Sequence, residues 1–187
     1  MKSSIMEFPV KGGRITASFT QPRPLDNPGQ HIHGAIDIAG GDGLVRAPNN
    51  GILVAYVIIR TPHGAWLKNE KDEIKSISVR DYWADIFGGI ISIEEPNGLF
   101  HIMAHFFAKA LHAQYPLNHY LETARIGRWP EFIWHSEPVE VHCGQRLLPI
   151  GNAGFSTGPH VHWEIHHSKN LDSYADRIDP ASYFERR

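Results

Sequence analysis

The sequence holds a single cysteine, Cys143, in 187 residues. No intramolecular disulfide can form, so the fold has no such staple and redox chemistry does not reveal the compartment. Reactive thiols need an electropositive setting, and Cys143 reads instead as a small buried or half-buried side chain. Long apolar runs are also missing. None approaches the roughly 18 residues of a membrane span, so no membrane span is expected. The N-terminal MKSSIMEFPV lacks the apolar core of about 7–15 residues that marks a secretion signal. The expectation is a chain that is mature, not exported by the general route, or exported by another one. Positive charge is not in excess either. A formal net charge of −2 argues against an electrostatically driven nucleic-acid binder, and no nucleic-acid partner is expected.

What remains is an ordinary globular composition, with 42% hydrophobic and 20% charged residues. The length suits one domain with a real core. Histidine is the outlier. There are 13, scattered along the chain rather than gathered in a tract, and histidine is both a common metal ligand and a common proton carrier.

Short alternating segments dominate. GGRITASFT and HIHGAIDIAG read as strands separated by the loop QPRPLDNPGQ. GLVRAPNNGILVAYVII has the pattern of a hairpin around Asn-Asn-Gly, and GGIISIEEPNGLFHIMAHFF that of another around Pro-Asn-Gly. Two stretches, at about 60–87 and 107–138, break this pattern and are longer than ordinary connections. The second has helical spacing in FFAKALHAQY and LNHYLETARI. Short strands, glycine turns and little helix predict a mainly β fold, an antiparallel sandwich or partly open barrel. Residues 1–187 are expected to form one domain carrying two partly helical insertions.

Three of these strands carry paired metal-competent side chains. A strand repeats every two residues, so in STGPHVHWEI His160 and His162 share one face while Val161 and Trp163 take the other. His33 and Asp37 are four apart and share a face if the segment is extended, and so do His101 and His105. Imidazole nitrogens and a carboxylate oxygen suit zinc, whose catalytic sites keep three protein ligands and one open position. Spacing alone does not choose the three, since His31-Ile-His33 mimics His160-Val-His162.

At this point the chain resembles a known family. HGAIDIAG resembles the HxxxD segment, and STGPHVHWEI the STGPHxHxE segment, of the lysostaphin/LytM-type zinc metalloendopeptidases, peptidoglycan hydrolases of the LAS group. APNNGILV, the hairpin ending in HIMAHF, VHCGQRLLPIGNAG and IDPASYF resemble further segments of that family, in the expected order across most of residues 12–184.

The resemblance implies a lysostaphin-type core and one Zn2+ per chain, with His33, Asp37 and His162 as metal ligands. It implies that His105 and His160 lie beside the open coordination position as catalytic groups. There they would exchange a proton and stabilise the oxyanion, while zinc lowers the pKa of its water from about 15.7 toward about 7. The implied substrate is the cross-bridge or stem peptide of bacterial peptidoglycan, and the implied place of action is the envelope or a phage-associated setting. Protein partners are not specified. The alternative is a silent wall-binding or regulatory module on the same scaffold.

His31, His63, His101, His112, His119, His135, His142, His166 and His167 match no family function and read as structural or surface residues, with His101 the one expected nearest the cleft. Gly34 and the Gly158-Pro159 pair are expected to shape the backbone beneath the site. Met103 and Phe106 depart from the family's tyrosine and leucine, which is expected to alter the cleft. The aromatics of the insertions, Trp66, Tyr82, Trp83, Tyr115, Tyr120, Trp129, Phe132 and Trp134, suit groove walls, a docking face, a cover or an enlarged core.

Overall fold

A computed structural model of the chain describes residues 6–21, 33–59, 87–122, 132–154, 156–168 and 174–183. In chain order the elements are β1 (Gly13–Ala17), β2 (Ile36–Gly40), β3 (Leu44–Arg46), β4 (Gly51–Ile59), β5 (Gly89–Glu94), β6 (Phe100–Phe106), α1 (Ala108–Gln114), β7 (His119–Glu122), β8 (Phe132–His135), β9 (Val139–Val141), β10 (Arg146–Pro149), β11 (Val161–His166) and β12 (Arg177–Ile178). The fold is mainly antiparallel β, as the strand pattern predicts. One large open sheet runs β1-β2-β11-β6-β5-β4-β8-β7, with β12 added to β11 and β9 to β4. A second sheet pairs β10 with β3.

Alternation along each strand sorts side chains between the two faces of the large sheet. Ile36 and Ile38 of β2, Leu53, Ala55 and Val57 of β4, Ile91 and Ile93 of β5, Met103 of β6, and Val161, Trp163 and Ile165 of β11 enter one buried cluster. Val45 of β3, Leu147 and Leu148 of β10, and Leu111 of α1 close that cluster from the other side, which gives the sandwich its two layers. The opposite face of the large sheet carries a smaller apolar group of Ile90, Ile102 and Ala104, with Tyr56 and Phe87 against it. Asp37 and His162 belong to this second face, being neighbours of core-facing residues on either side.

The Pro-Asn-Gly hairpin forms as predicted between β5 and β6. Gly98 takes φ 86, a left-handed conformation that glycine adopts without strain, and Asn97 Oδ1 accepts the Leu99 N–H at 3.0 Å. Two expectations are corrected. The Asn-Asn-Gly segment does not close a hairpin: β3 pairs with β10, while β4 pairs with β5, β8 and β9. Residues 47–50 therefore carry the chain from the small sheet to the large one. LNHYLETARI is not helical where it is described, because His119–Glu122 pairs with β8, which in turn pairs with β4. Sheet pairing supplies the backbone partners that a marginal local helix would have to find alone.

The expected helix in FFAKALHAQY does form, as α1, and Leu111, Tyr115 and Leu117 pack into the main core. Trp134 is partly buried against the same cluster. The described part of the second insertion thus enlarges the core. Met103 and Phe106 also lie there, 0% and 1% exposed, so the departures from the family pattern change the core packing rather than the cleft. Nearly all of the first insertion (60–86, with Trp66, Tyr82, Trp83 and His63), the segment 123–131 with Trp129, and His31 lie outside the described residues. No described helix is long and apolar enough to cross a membrane.

Candidate metal centre

Strand register assembles most of the centre. β2 and β11 pair so that Asp37 stands directly opposite His162, and β11 and β6 pair so that Ala104 flanks His162 on the other side. Cross-strand neighbours on one face lie close enough for their side chains to meet. His33 precedes β2 rather than extending it, and its place is set by the loop. Its carbonyl accepts the Thr20 N–H at 2.7 Å, and its own N–H donates to the Gln21 carbonyl at 2.9 Å. Thr20 has φ 62, a conformation that a β-branched residue adopts only when its surroundings impose it.

Three donor atoms converge there. Asp37 Oδ1 lies 2.9 Å from His162 Nδ1 and 3.2 Å from His33 Nε2, and the two nitrogens are 3.2 Å apart. Ligands at zinc distances of about 2.0–2.1 Å in a tetrahedral arrangement would be about 3.3 Å apart, so the spacing fits a small divalent ion. Among the described residues this is the one group of three or more suitable side chains close enough to hold a metal. The outer nitrogens support the fit. His33 Nδ1–H donates to the Ser18 carbonyl at 3.1 Å and His162 Nε2–H donates to Glu164 Oε1 at 2.8 Å. Once its inner nitrogen is deprotonated, each ring points a lone pair at the same place, the arrangement that outer-sphere acceptors impose on metal-binding histidines.

Without a metal the cluster must share a proton. Burial disfavours charge on His162, but the hydrogen bonds and charges of Asp37 and Glu164 outweigh it and raise the imidazole to about 9. Burial likewise opposes the charge on Asp37, and the hydrogen bonds and charges of His162 and His33 overcome it, holding the carboxyl well below the usual range. Glu164 is depressed in the same way: His162 and His166 donate to it and outweigh its burial.

His105 and His160 lie beside this triangle. Their ring centroids are 4.6 Å apart, and the His105 ring lies 5.7 Å from that of His162. Each is tethered through Nδ1–H to a backbone carbonyl, His105 to Ala153 and His160 to Gly158, both at 2.8 Å. The His160 Nε2 lies 3.7 Å from Asp37 Oδ1. Burial lowers His105 to about 3, helped by the nearby charges of His162 and His160, so the ring is neutral through the physiological range.

The position of His105 does not follow from strand alternation. Odd residues of β6 face the core: His101 is opposite Ile165 and Met103 opposite Trp163. His101 is 0% exposed, bonds Glu95, and accepts the Trp163 Nε1–H at 3.3 Å. His101 is therefore a structural histidine of the core, in line with its reading from the sequence, and does not touch the cleft. His105 escapes the core because its backbone inverts, with φ 73. Its N–H donates to the Phe87 carbonyl at 2.8 Å and its carbonyl accepts the Ala153 N–H at 3.0 Å.

The segment Gly151-Asn152-Ala153 clamps both accessory histidines. Gly151 bridges to His160, whose N–H donates to the Gly151 carbonyl at 3.1 Å. A Cβ on Gly151 would stand 1.9 Å from the His105 carbonyl oxygen, so only glycine fits. Asn152 Oδ1 accepts from Ser156 Oγ at 2.7 Å, and that hydroxyl lies 3.1 Å from His160 Nδ1. Gly158, by contrast, lies outside the left-handed region and a Cβ there would meet open space. Its contribution is its carbonyl, which corrects the expectation of an unusual backbone conformation.

Sequence reasoning brought forward His33, Asp37, His105, His160 and His162, and the fold gathers all five. It passed over Glu164 and His166, although both continue the alternation of His160 and His162 and so share their face. It had no signal for Ser18, Thr20 or Ala153, which act through the backbone.

No family model matches the sequence, and no curated protein matches it as a relative. Solved structures do. The catalytic domain of the antimicrobial peptidase lysostaphin from Staphylococcus simulans is similar at a TM-score of 0.51 and 19% identity, covering 93% of each chain. A chain of the SpoIIIAH and SpoIIQ complex is similar at 0.52 and 15%, over 95% of this chain and 99% of that one. The catalytic domain of a point variant of the prophage-encoded M23 protein EnpA from Enterococcus faecalis is similar at 0.50 and 16%, over 96% and 98%. At these identities it is the fold that is shared: this chain has the lysostaphin/LytM-type peptidase fold.

Proposed function

We propose that the chain is a zinc-dependent endopeptidase that hydrolyses peptide bonds of bacterial peptidoglycan, in the cross-bridge or the stem peptide. The observation that carries this reading is the triangle of His33 Nε2, Asp37 Oδ1 and His162 Nδ1, with sides of 2.9–3.2 Å and two further imidazoles beside it. Likeness in fold to an antimicrobial peptidase and to a prophage-encoded M23 catalytic domain supports it.

In this reading His33, Asp37 and His162 hold the metal. Bound there, zinc supplies a Lewis acid and an acidified water near neutral pH. Asp37 contributes the one negative charge of the ligand set and moderates that acidity. His105 is neutral and fixed by Ala153, and accepts a hydrogen bond at Nε2. His160, fixed by Gly158, offers Nε2 on the Asp37 side. The proton that leaves the attacking water and returns to the departing amine is carried at Nε2 of these rings. His105 and His160 also face the oxyanion that develops on the scissile carbonyl. The site of action on this reading is the bacterial envelope, reached from the cell or from a phage.

Zymography on purified cell wall tests the proposal. The zinc-loaded chain is expected to clear the wall. A chain that carries zinc and leaves the wall intact, where the lysostaphin catalytic domain clears it, contradicts the reading. A second reading, a catalytically silent wall-binding or regulatory module on the same scaffold, draws on the likeness to a chain of the SpoIIIAH and SpoIIQ complex. Wall binding without clearing would favour it.

A further inference from the structure

Behind the candidate metal centre lies a second set of polar groups that the proposed chemistry does not use. Glu164 and His166 follow His162 at intervals of two on β11 and are 3% and 0% exposed. Glu164 divides its two oxygens between two histidines. Oε1 accepts the His162 Nε2–H at 2.8 Å, and Oε2 accepts the His166 Nε2–H at 2.6 Å. The Arg177 Nε lies 3.4 Å from the same Oε2. Its strand, β12, pairs with β11 so that Arg177 stands directly opposite His166.

This arrangement has a cost. His166 Nδ1 is buried with no hydrogen-bond partner, and buried polar atoms of this kind are uncommon enough to need a reason. A second buried ionic array within one sheet face is also a poor stabiliser by itself, since the desolvation of its charges offsets their attraction. Geometry supplies the reason. An imidazole can present either nitrogen, and which one faces a metal is set by the bond the other makes. Glu164 occupies Nε2 of His162, so Nδ1 is the atom left facing Asp37 Oδ1 and His33 Nε2. A glutamate held at one oxygen alone could swing about its last torsion. Held at Oε2 by His166 and flanked by Arg177, it cannot.

We infer that Glu164 is the positioning residue that selects Nδ1 of His162 as the metal-binding atom, and that His166 and Arg177 hold Glu164 in register for that task. The inference rests on the zinc reading above and extends it to three residues that touch no metal.

The test uses the full chain and two readouts: zinc affinity by chelator competition, and the 15N signals of the His162 ring in the zinc-loaded protein. The wild type is expected to bind one zinc, with His162 metallated at Nδ1 and protonated at Nε2. Glu164→Asp keeps the charge but withdraws the carboxylate by one methylene. It is expected to lose roughly 10–100-fold in zinc affinity, the usual size of outer-sphere effects, and to show a second His162 tautomer. His166→Ala, which removes one anchor, is expected to weaken zinc binding in the same direction, and His166→Gln, whose amide can donate to Oε2, to restore most of it. Should Glu164→Asp fail to fold, the His166 pair decides alone. Zinc on the wild type with unchanged affinity and a single His162 tautomer in the folded variants overturns the inference and leaves the zinc reading standing. No zinc on the wild type overturns both.

Discussion

His162 lies between two carboxylates, Asp37 on its Nδ1 side and Glu164 on its Nε2 side, and its behaviour with pH follows from that. With its pKa raised to about 9 by these partners against the opposing effect of burial, the metal-free ring holds a proton that zinc must displace. Zinc affinity is therefore expected to rise about tenfold per pH unit between pH 6 and 8, measured by chelator competition. A flat profile would mean that the proton is not on this ring. Stability runs the other way in the metal-free protein. A histidine raised above its unfolded value contributes fully below about 6.5 and loses that contribution as pH climbs through 9. The gain in melting temperature on adding zinc should accordingly grow from pH 6.5 to pH 9, and differential scanning calorimetry reads it directly. Substitution separates the roles proposed for His162 and His105. His162→Ala is expected to lose both zinc and hydrolysis. His105→Ala is expected to keep zinc within a few-fold and lose about 10²–10⁴ in rate, the usual contribution of a positioned proton-transfer group. Metal analysis beside a turnover assay checks both, and full activity in either variant contradicts the assignment.

At the level of elements, the clamp at Gly151-Asn152-Ala153 shows where local pattern stops being informative. Alternation along β11 predicts that His160 and His162 share a face and that Trp163 and Ile165 turn to the core, and both hold. The same rule applied to β6 puts His101 and His105 together, and there it fails, because the backbone inverts at His105 with φ 73. Nothing in HIMAHF announces that inversion. It is imposed by Phe87 on one side and Ala153 on the other, residues distant in sequence. LNHYLETARI failed for a related reason: its apolar residues at 117, 120 and 121 fit a helical period, and the strand prevails only because β8 and β4 offer it a sheet. Gly151→Ala tests the clamp. A methyl placed 1.9 Å from the His105 carbonyl oxygen and 2.8 Å from Phe106 Cα meets backbone that cannot yield cheaply. The variant is expected to lose about 1–3 kcal/mol, roughly 3–10 °C in melting temperature. Its rate should fall further than its zinc content, since the displaced groups are the accessory histidines and not the ligands. A variant as stable and active as the wild type would show that the clamp positions nothing.

Over the whole molecule, antiparallel pairing of three strands distant in sequence brings residues 37, 105 and 162 into one centre. That convergence was legible as a set of segments in order, each weak by itself, and the fold they resemble is the fold observed. What spacing could not do was choose among the histidines, because His31 and His33 repeat the pattern of His160 and His162; it is tertiary contact that sets His33 beside Asp37 and His162. The centre lies on the face of the large sheet away from the main core. Cleavage at that face would leave new peptide termini in the wall. Its most direct measurement is mass analysis of purified peptidoglycan after digestion by the zinc-loaded chain, with His162→Ala run in parallel. New peptide termini formed by the wild type and absent from the variant are the predicted result; intact peptides after prolonged incubation with a chain carrying one zinc would contradict it.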